Sequence, residues 1–219
     1  MMALALARKA PVLQGAIRRG IYERGLASPM PATYEMTLGL IAFGEIGREV
    51  AARAKPFGFK LIAHDPFVDP AVAGRHGVTL VGLDELLTQA DIVSVHAPLT
   101  KETFHLLGAR EFALMKPTAY VINTARGAVI DQVALIAALQ GGRIAGAGLD
   151  VFEREPLEAN SPLVTMENVI LTPHTAGMSD SSQIAVRHRT TRNIANALVG
   201  DWPETRDLIN PQVKGHPRQ

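Results

Sequence analysis

Short apolar runs rich in β-branched residues recur along this chain, separated by amphipathic stretches and by turns of glycine, proline and aspartate. The runs predict strands over 38–42, 60–64, 78–81, 91–95, 120–123, 145–150 and 169–171. Helical spacing between them predicts helices over 46–55, 84–89, 110–115 and 132–140. Asp131 can cap the last of these, and Gly141 with Gly142 ends it. A longer helix is predicted over 182–199, stopping near Gly200 and Pro203. Strand and helix in alternation predict an α/β fold with a doubly wound parallel sheet.

Ahead of that pattern, Leu4, Leu6, Ala7, Val12 and Leu13 alternate with Arg8 and Lys9 as in an amphipathic helix. Gly25, Ser28, Pro29 and Pro31 then mark an irregular arm. The expected organisation is a helix and arm over 1–36, a nucleotide-binding domain over 37–178, and a C-terminal helix and tail over 179–219. The first 36 residues have no evident place in a compact nucleotide domain, so Leu4, Leu6, Val12, Ile17, Ile21 and Tyr22 are expected to face water unless a partner covers them. Arg8, Lys9, Arg18 and Arg19 with no acid before Glu23 also suit a transit peptide, but serine is scarce there and the helix is the better reading.

With 219 residues and 47% hydrophobic content the chain can bury a full core. A net charge of +1 gives no general attraction to nucleic acid or anionic membrane. The absence of cysteine excludes disulfides, thiolate catalysis and a thiolate metal site, and it fits a reducing cytoplasm. No metal is expected.

The segment from Leu38 to Gly47 runs from strand to helix and contains Gly44-Glu45-Ile46-Gly47. Gly44 lets a pyrophosphate approach the backbone, Gly47 lets helix pack on strand, and the free N–H groups at the helix start face the phosphates. Asp65 ends the next strand at the spacing of a ribose-binding acid, which favours NAD over NADP in a Rossmann-type domain. Two features depart from the fingerprint. Ala42 stands where its first glycine belongs, and Glu45 puts a negative charge in the phosphate turn.

Three later strand ends each deliver one polar residue. Tyr120-Val121-Ile122 leads into Asn123-Thr124-Ala125-Arg126-Gly127. The strand that ends at Leu149 leads to Asp150 and on to Glu155-Pro156, and Val169-Ile170-Leu171 leads to Thr172-Pro173-His174-Thr175-Ala176-Gly177. Singly, each polar residue has a dull explanation as a loop cap, a surface acid or a satisfied histidine. Together, at the carboxyl ends of parallel strands beside a nucleotide turn, a cation, a carboxylate and an imidazole suit hydride transfer.

These segments, with Asp91-Ile92-Val93-Ser94-Val95-His96-Ala97-Pro98-Leu99-Thr100, closely resemble the D-isomer-specific 2-hydroxyacid dehydrogenases, over about residues 3–211. The resemblance implies an NAD-dependent oxidoreductase acting on a small 2-hydroxy or 2-oxo acid. It implies that Arg126 holds the substrate carboxylate, that His174 moves the proton, and that Glu155 orients the imidazole. It places Gly44, Glu45, Ile46, Gly47, Asp65, His96, Ala97, Pro98, Thr103, Thr124, Ala125, Arg126, Asp150, His174, Ala176 and Gly177 around the cofactor. It further implies a homodimer built through the N-terminal arm, and a preceding lobe that closes over the substrate, with this chain beginning inside the helix that links the lobes. The alternative is an NAD-binding module without turnover, akin to dehydrogenase-related corepressors. A Rossmann-type methyltransferase would use the glycines and Asp65 but leave Arg126, Glu155 and His174 without a role.

Overall fold

The computed structural model describes residues 1–202 together with 210 and 212; Pro203, Pro211 and His216 lie outside the described residues. The strands are β1 (Thr37–Ile41), β2 (Lys60–His64), β3 (Thr79–Leu80), β4 (Ile92–Val95), β5 (Tyr120–Asn123), β6 (Gly146–Leu149) and β7 (Val169–Leu171). The helices are α1 (Met2–Ala7), α2 (Ala10–Arg18), α3 (Glu45–Ala54), α4 (Pro70–Arg75), α5 (Leu83–Gln89), α6 (Ala109–Leu114), α7 (Gln132–Gln140) and α8 (Asp180–Leu198). They divide between two compact units, Met1–His174 and Thr175–Gln219.

In the first unit all seven strands form one sheet in the order β3-β2-β1-β4-β5-β6-β7, and every neighbouring pair is parallel. The chain winds outward in one direction from β1 to β3, then crosses back and winds the other way from β4. The doubly wound Rossmann-type sheet expected from the alternating pattern is therefore present. Parallel strands covered on both faces read as continuous apolar runs, and β1 and β4 are buried along their whole length. One face packs Ile62, Leu86, Val93, Val121 and Leu149 into a core; the other packs Leu38, Leu40, Phe43, Leu61 and Ile122.

The start of the chain departs from expectation. Leu6 is 2% exposed and Met2 7%, because α1 lies on the sheet. Small residues in β6 make room: a Cβ added at Gly148 would come within 3.0 Å of the Met2 sulfur. Leu4 is partly buried in the same core. The single amphipathic helix expected here is broken at Lys9, whose backbone is left-handed at φ 50° before Pro11 in the first turn of α2. Only the later apolar positions stay in water, with Ile17, Ile21 and Tyr22 all exposed.

Helix α4 was not anticipated. Asp69 caps it by accepting from Ala71 N, with Pro70 as its first residue, a start signal legible in the sequence. In the second unit α8 begins on a Ser179 cap and buries none of its residues within the chain.

The turn after β1 holds a backbone conformation that its residue disfavours. Ala42 adopts φ 69° while its N–H donates to the His64 carbonyl at 2.9 Å. Left-handed backbone costs an L-residue roughly 1–2 kcal/mol and glycine almost nothing. Ala42→Gly should therefore stabilise the protein by about 1 kcal/mol after glycine's extra unfolded-state entropy, raising the melting midpoint roughly 2–4 °C. Calorimetric melting of the two proteins checks this.

Candidate active site

All seven strand carboxyl ends lie on one edge of the sheet, and the winding reverses between β1 and β4. In such sheets ligands bind in the crevice at that reversal. A cleft of about 500 Å³ lies there, lined by Ile41 and Ala42 after β1, His64 and Asp65 after β2, and Ala97, Pro98 and Thr103 after β4.

The turn between β1 and α3 is built for close approach. No side chain caps the start of α3, so its first N–H groups point out unpaired by one. A Cβ at Gly44 would meet no atom within 4 Å, which leaves that turn open to a ligand, while a Cβ at Gly47 would strike the Ala42 carbonyl at 2.6 Å. Glu45 and Ile46 are exposed on the first turn. Asp65 reaches back to the turn: its Oδ2 accepts from Phe43 N at 2.8 Å and its Oδ1 from Phe67 N at 2.9 Å. Each carboxylate oxygen keeps a lone pair for a ribose hydroxyl. Uncapped helix, open glycine and anchored acid together fit a dinucleotide.

Beside this turn, Thr103 Oγ1 accepts from Thr100 N and donates to the Pro98 carbonyl, closing the loop that bears Ala97 and Pro98. The His96 ring is largely buried and meets Ser94 Oγ at 3.0 Å. Burial lowers its pKa to about 4, so it is neutral at physiological pH.

Across the sheet, the ends of β5, β6 and β7 stand in register, Asn123 opposite Leu149 and Leu149 opposite Leu171. After β5 the buried Asn123 brackets its loop. Its Oδ1 accepts from Ala125 N and its Nδ2 donates to the Arg126 carbonyl. Thr124 and Ala125 sit inside that bracket, and Ala125's N–H is committed to it. Arg126 itself is exposed and donates one N–H to the Ala125 carbonyl at 2.7 Å. Gly127 comes so close to the next loop that a Cβ would lie 1.9 Å from the Phe152 carbonyl. The loops that carry Arg126 and Glu155 are thus in backbone contact.

His174 Nδ1 lies 2.8 Å from Glu155 Oε2. Glu155 Oε1 also accepts from Phe152 N. The hydrogen bond from His174, then that from Phe152, holds the Glu155 carboxyl below its ordinary value. His174 has φ 53°, a costly conformation of the kind found where surroundings over-determine a functional residue. Here its N–H is held by the Asp150 carbonyl at 2.8 Å. Asp150 is 1% exposed and accepts from Thr172 Oγ1, so it fixes the loop that ends in His174. A cleft of about 430 Å³ lined by Phe152, Leu157, Leu171 and Pro173 opens beside the pair. Ala176 and Gly177 belong to the second unit, where the Gly177 carbonyl accepts from Ser182 Oγ.

Asn123, Gly127 and Thr172 were not singled out as positioning residues. An Asn closing a strand before a tight turn is a known side-chain-to-backbone signal; the roles of Gly127 and Thr172 depend on loops that only the fold brings together.

Comparison with known proteins gives a consistent result. The family model described as D-isomer specific 2-hydroxyacid dehydrogenase, NAD binding domain, matches residues 1–176. The chain is 38% identical over 213 residues to the glyoxylate reductase of Korarchaeum cryptofilum, covering 96% of this chain and 64% of that protein. It is 41% identical over 216 residues to the D-3-phosphoglycerate dehydrogenase of Methanocaldococcus jannaschii, covering 96% and 40%. The crystal structure of D-lactate dehydrogenase from Aquifex aeolicus, complexed with NAD and lactic acid, aligns with a TM-score of 0.83 at 33% identity, over 91% of this chain and 64% of that one. The chain therefore spans less than two thirds of the length of each.

One consequence for pH follows from His96. The unfolded chain takes up a proton near 6.5, the folded one only near 4. Between those values the unfolded state binds more protons, so stability falls as pH drops through that window. Urea midpoints measured from pH 7 to 4 should decline more steeply in the wild type than in His96→Asn.

Proposed function

The chain belongs to the D-isomer specific 2-hydroxyacid dehydrogenase family, as its NAD-binding domain, and from that premise we infer that it serves the interconversion of a small D-2-hydroxy acid and its 2-oxo acid. The observation that carries this reading is the His174–Glu155 pair at 2.8 Å, on the same sheet edge as the uncapped start of α3. When bound, NAD(H) supplies or accepts the hydride.

The chain's own residues bind, orient and move the proton. Glu155 takes the Nδ1 hydrogen bond of His174 and so fixes the ring with Nε2 free for proton exchange with the substrate oxygen. Arg126 keeps N–H groups beyond the one spent on Ala125, enough for a two-pronged grip on a carboxylate and polarisation of the adjacent carbonyl. Asp65, negatively charged and anchored at the cleft, accepts ribose hydroxyls and repels a 2′-phosphate, which selects NAD over NADP. The cytoplasm, where NAD(H) meets small oxo acids, is the setting this reading takes. A homodimer through the exposed Ile17, Ile21 and Tyr22 accords with it, and sedimentation as a monomer at micromolar concentration would remove that part.

The competing reading is cofactor binding without turnover. Kinetics separate the two. NADH consumption is measured with glyoxylate, hydroxypyruvate and 3-phosphohydroxypyruvate, on this chain and on this chain joined to the remainder of the K. cryptofilum enzyme. The joined protein should turn over, and His174→Ala should then lose at least about a hundredfold in kcat with NADH affinity nearly unchanged. Arg126→Ala should damage both KM and kcat. Full turnover in His174→Ala would show that the proton comes from elsewhere.

Cofactor affinity is read separately by NADH fluorescence. Asp65→Ala should weaken NADH and relieve discrimination against NADPH, and Glu45→Arg should tighten both by putting a cation at the start of α3. Equal affinity for the two cofactors in the wild type would contradict the role given to Asp65.

A further inference from the structure

A second cluster of ligand-type side chains lies outside both the pyrophosphate turn and the His174–Glu155 pair. His105 follows β4, Asp131 precedes α7, and Glu153 follows β6. One ligand atom from each lies within 4.8 Å of the other two. No sequence spacing announces the trio, since 26 and 22 positions separate its members; the crossing of three loops creates it.

The relation between His105 and Glu153 is the informative one. His105 Nε2 is shut off from solvent and makes no hydrogen bond, yet Glu153 Oε1 stands 2.8 Å away. At that distance an aligned N–H would donate to the carboxylate, so the oxygen must stand off the axis of the ring nitrogen. Two ligands of one cation have this relation. Tetrahedral ligands about 2.1 Å from an ion stand about 3.4 Å apart, both aimed at it, so this pair needs to open by only about 0.6 Å to hold one.

The remaining contacts suit a prepared site. Asp131 spends Oδ1 on Ala134 N and keeps Oδ2, which stands 3.9 Å from His105 Nδ1, the ring nitrogen that does not face Glu153. Glu153 Oε1 also accepts from Gln132 N at 2.9 Å, an outer contact of the kind that orients a ligand. The His105 ring is stacked on Phe104 with centroids 3.9 Å apart. Its backbone is left-handed at φ 52° and held by an N–H bond to the Ala128 carbonyl. A polar cavity of about 350 Å³, lined by Gln132, Glu153, Arg154, Asn160 and Ser161, opens beside Glu153 and provides an entry path.

We propose that His105, Asp131 and Glu153 form a binding site for a divalent transition-metal ion. One imidazole and two carboxylates without thiolate suit borderline cations such as zinc, and the imidazole disfavours magnesium and calcium. The ion clips the loop after β4 to the two loops that present Arg126 and Glu155.

Calorimetric titration of the chelator-stripped protein with zinc chloride tests the site. One equivalent should bind in the micromolar range and raise the melting midpoint by several degrees. His105→Gln, which keeps a planar side chain against Phe104, should abolish that binding, and Glu153→Gln should weaken it at least tenfold. His174→Ala should bind zinc as the wild type does, and magnesium should give no heat. Absence of zinc binding in the wild type would overturn the proposal and leave an imidazole shared between two acids. Binding that survives His105→Gln or disappears in His174→Ala would overturn it too, the latter by placing the ion on the His174–Glu155 pair.

Discussion

Parallel pairing of every strand with its neighbours is the constraint on which the molecule depends. A parallel ladder forces each chain to return by a crossover, so all seven carboxyl ends and the loops after them fall on one edge. Where the winding reverses, between β1 and β4, two loops leave in opposite directions and a crevice is left that no crossover fills. The start of α3 and the Asp65 carboxylate meet there because β1 and β2 are in register, Ile41 opposite His64. Polar residues from six separate strand ends are thereby collected on one edge without any of the six being adjacent in sequence.

Loops at such an edge are held by polar contacts rather than by a core, and here those contacts are reciprocal. Asn123 satisfies both an N–H and a carbonyl of the Arg126 turn. Gln132 and Glu153 exchange side-chain bonds to each other's backbone N–H. Asp150, nearly sealed from water, ties Thr172 to the strand end before it. Leaving the buried Asn123 or Asp150 side chain unpaired would cost roughly 1–3 kcal/mol, more than the bond itself contributes. That asymmetry keeps the exposed ends of Arg126, Glu155 and His174 in place while their side chains remain accessible.

Most of the sheet was legible in the sequence because buried parallel strands are continuous apolar runs, and β2, β5 and β7 begin and end where the pattern places them. Strand position brought Glu155 and His174 to one sheet edge in the sequence reading, and the family resemblance of their segments implied that the two pair. What escaped the sequence depended on tertiary proximity. Helix α1 looked like part of an arm until Gly148 showed why it lies on β6. Ala42 was visible as a departure from the glycine fingerprint, but its left-handed backbone was not. The meeting of His105, Asp131 and Glu153 has no local signal at all.

We place the cofactor of this chain at the reversal of the sheet between β1 and β4. A chain of 219 residues is within reach of amide-resolved NMR, and titration with NAD⁺ tests the claim directly. Perturbed amides should cluster at residues 42–47, 65–67, 96–103 and 124–126, on the carboxyl edge, while those at the amino ends of the strands stay still. Perturbations centred on the opposite edge, or on the groove lined by Ile17, Ile21 and Tyr22, would contradict it.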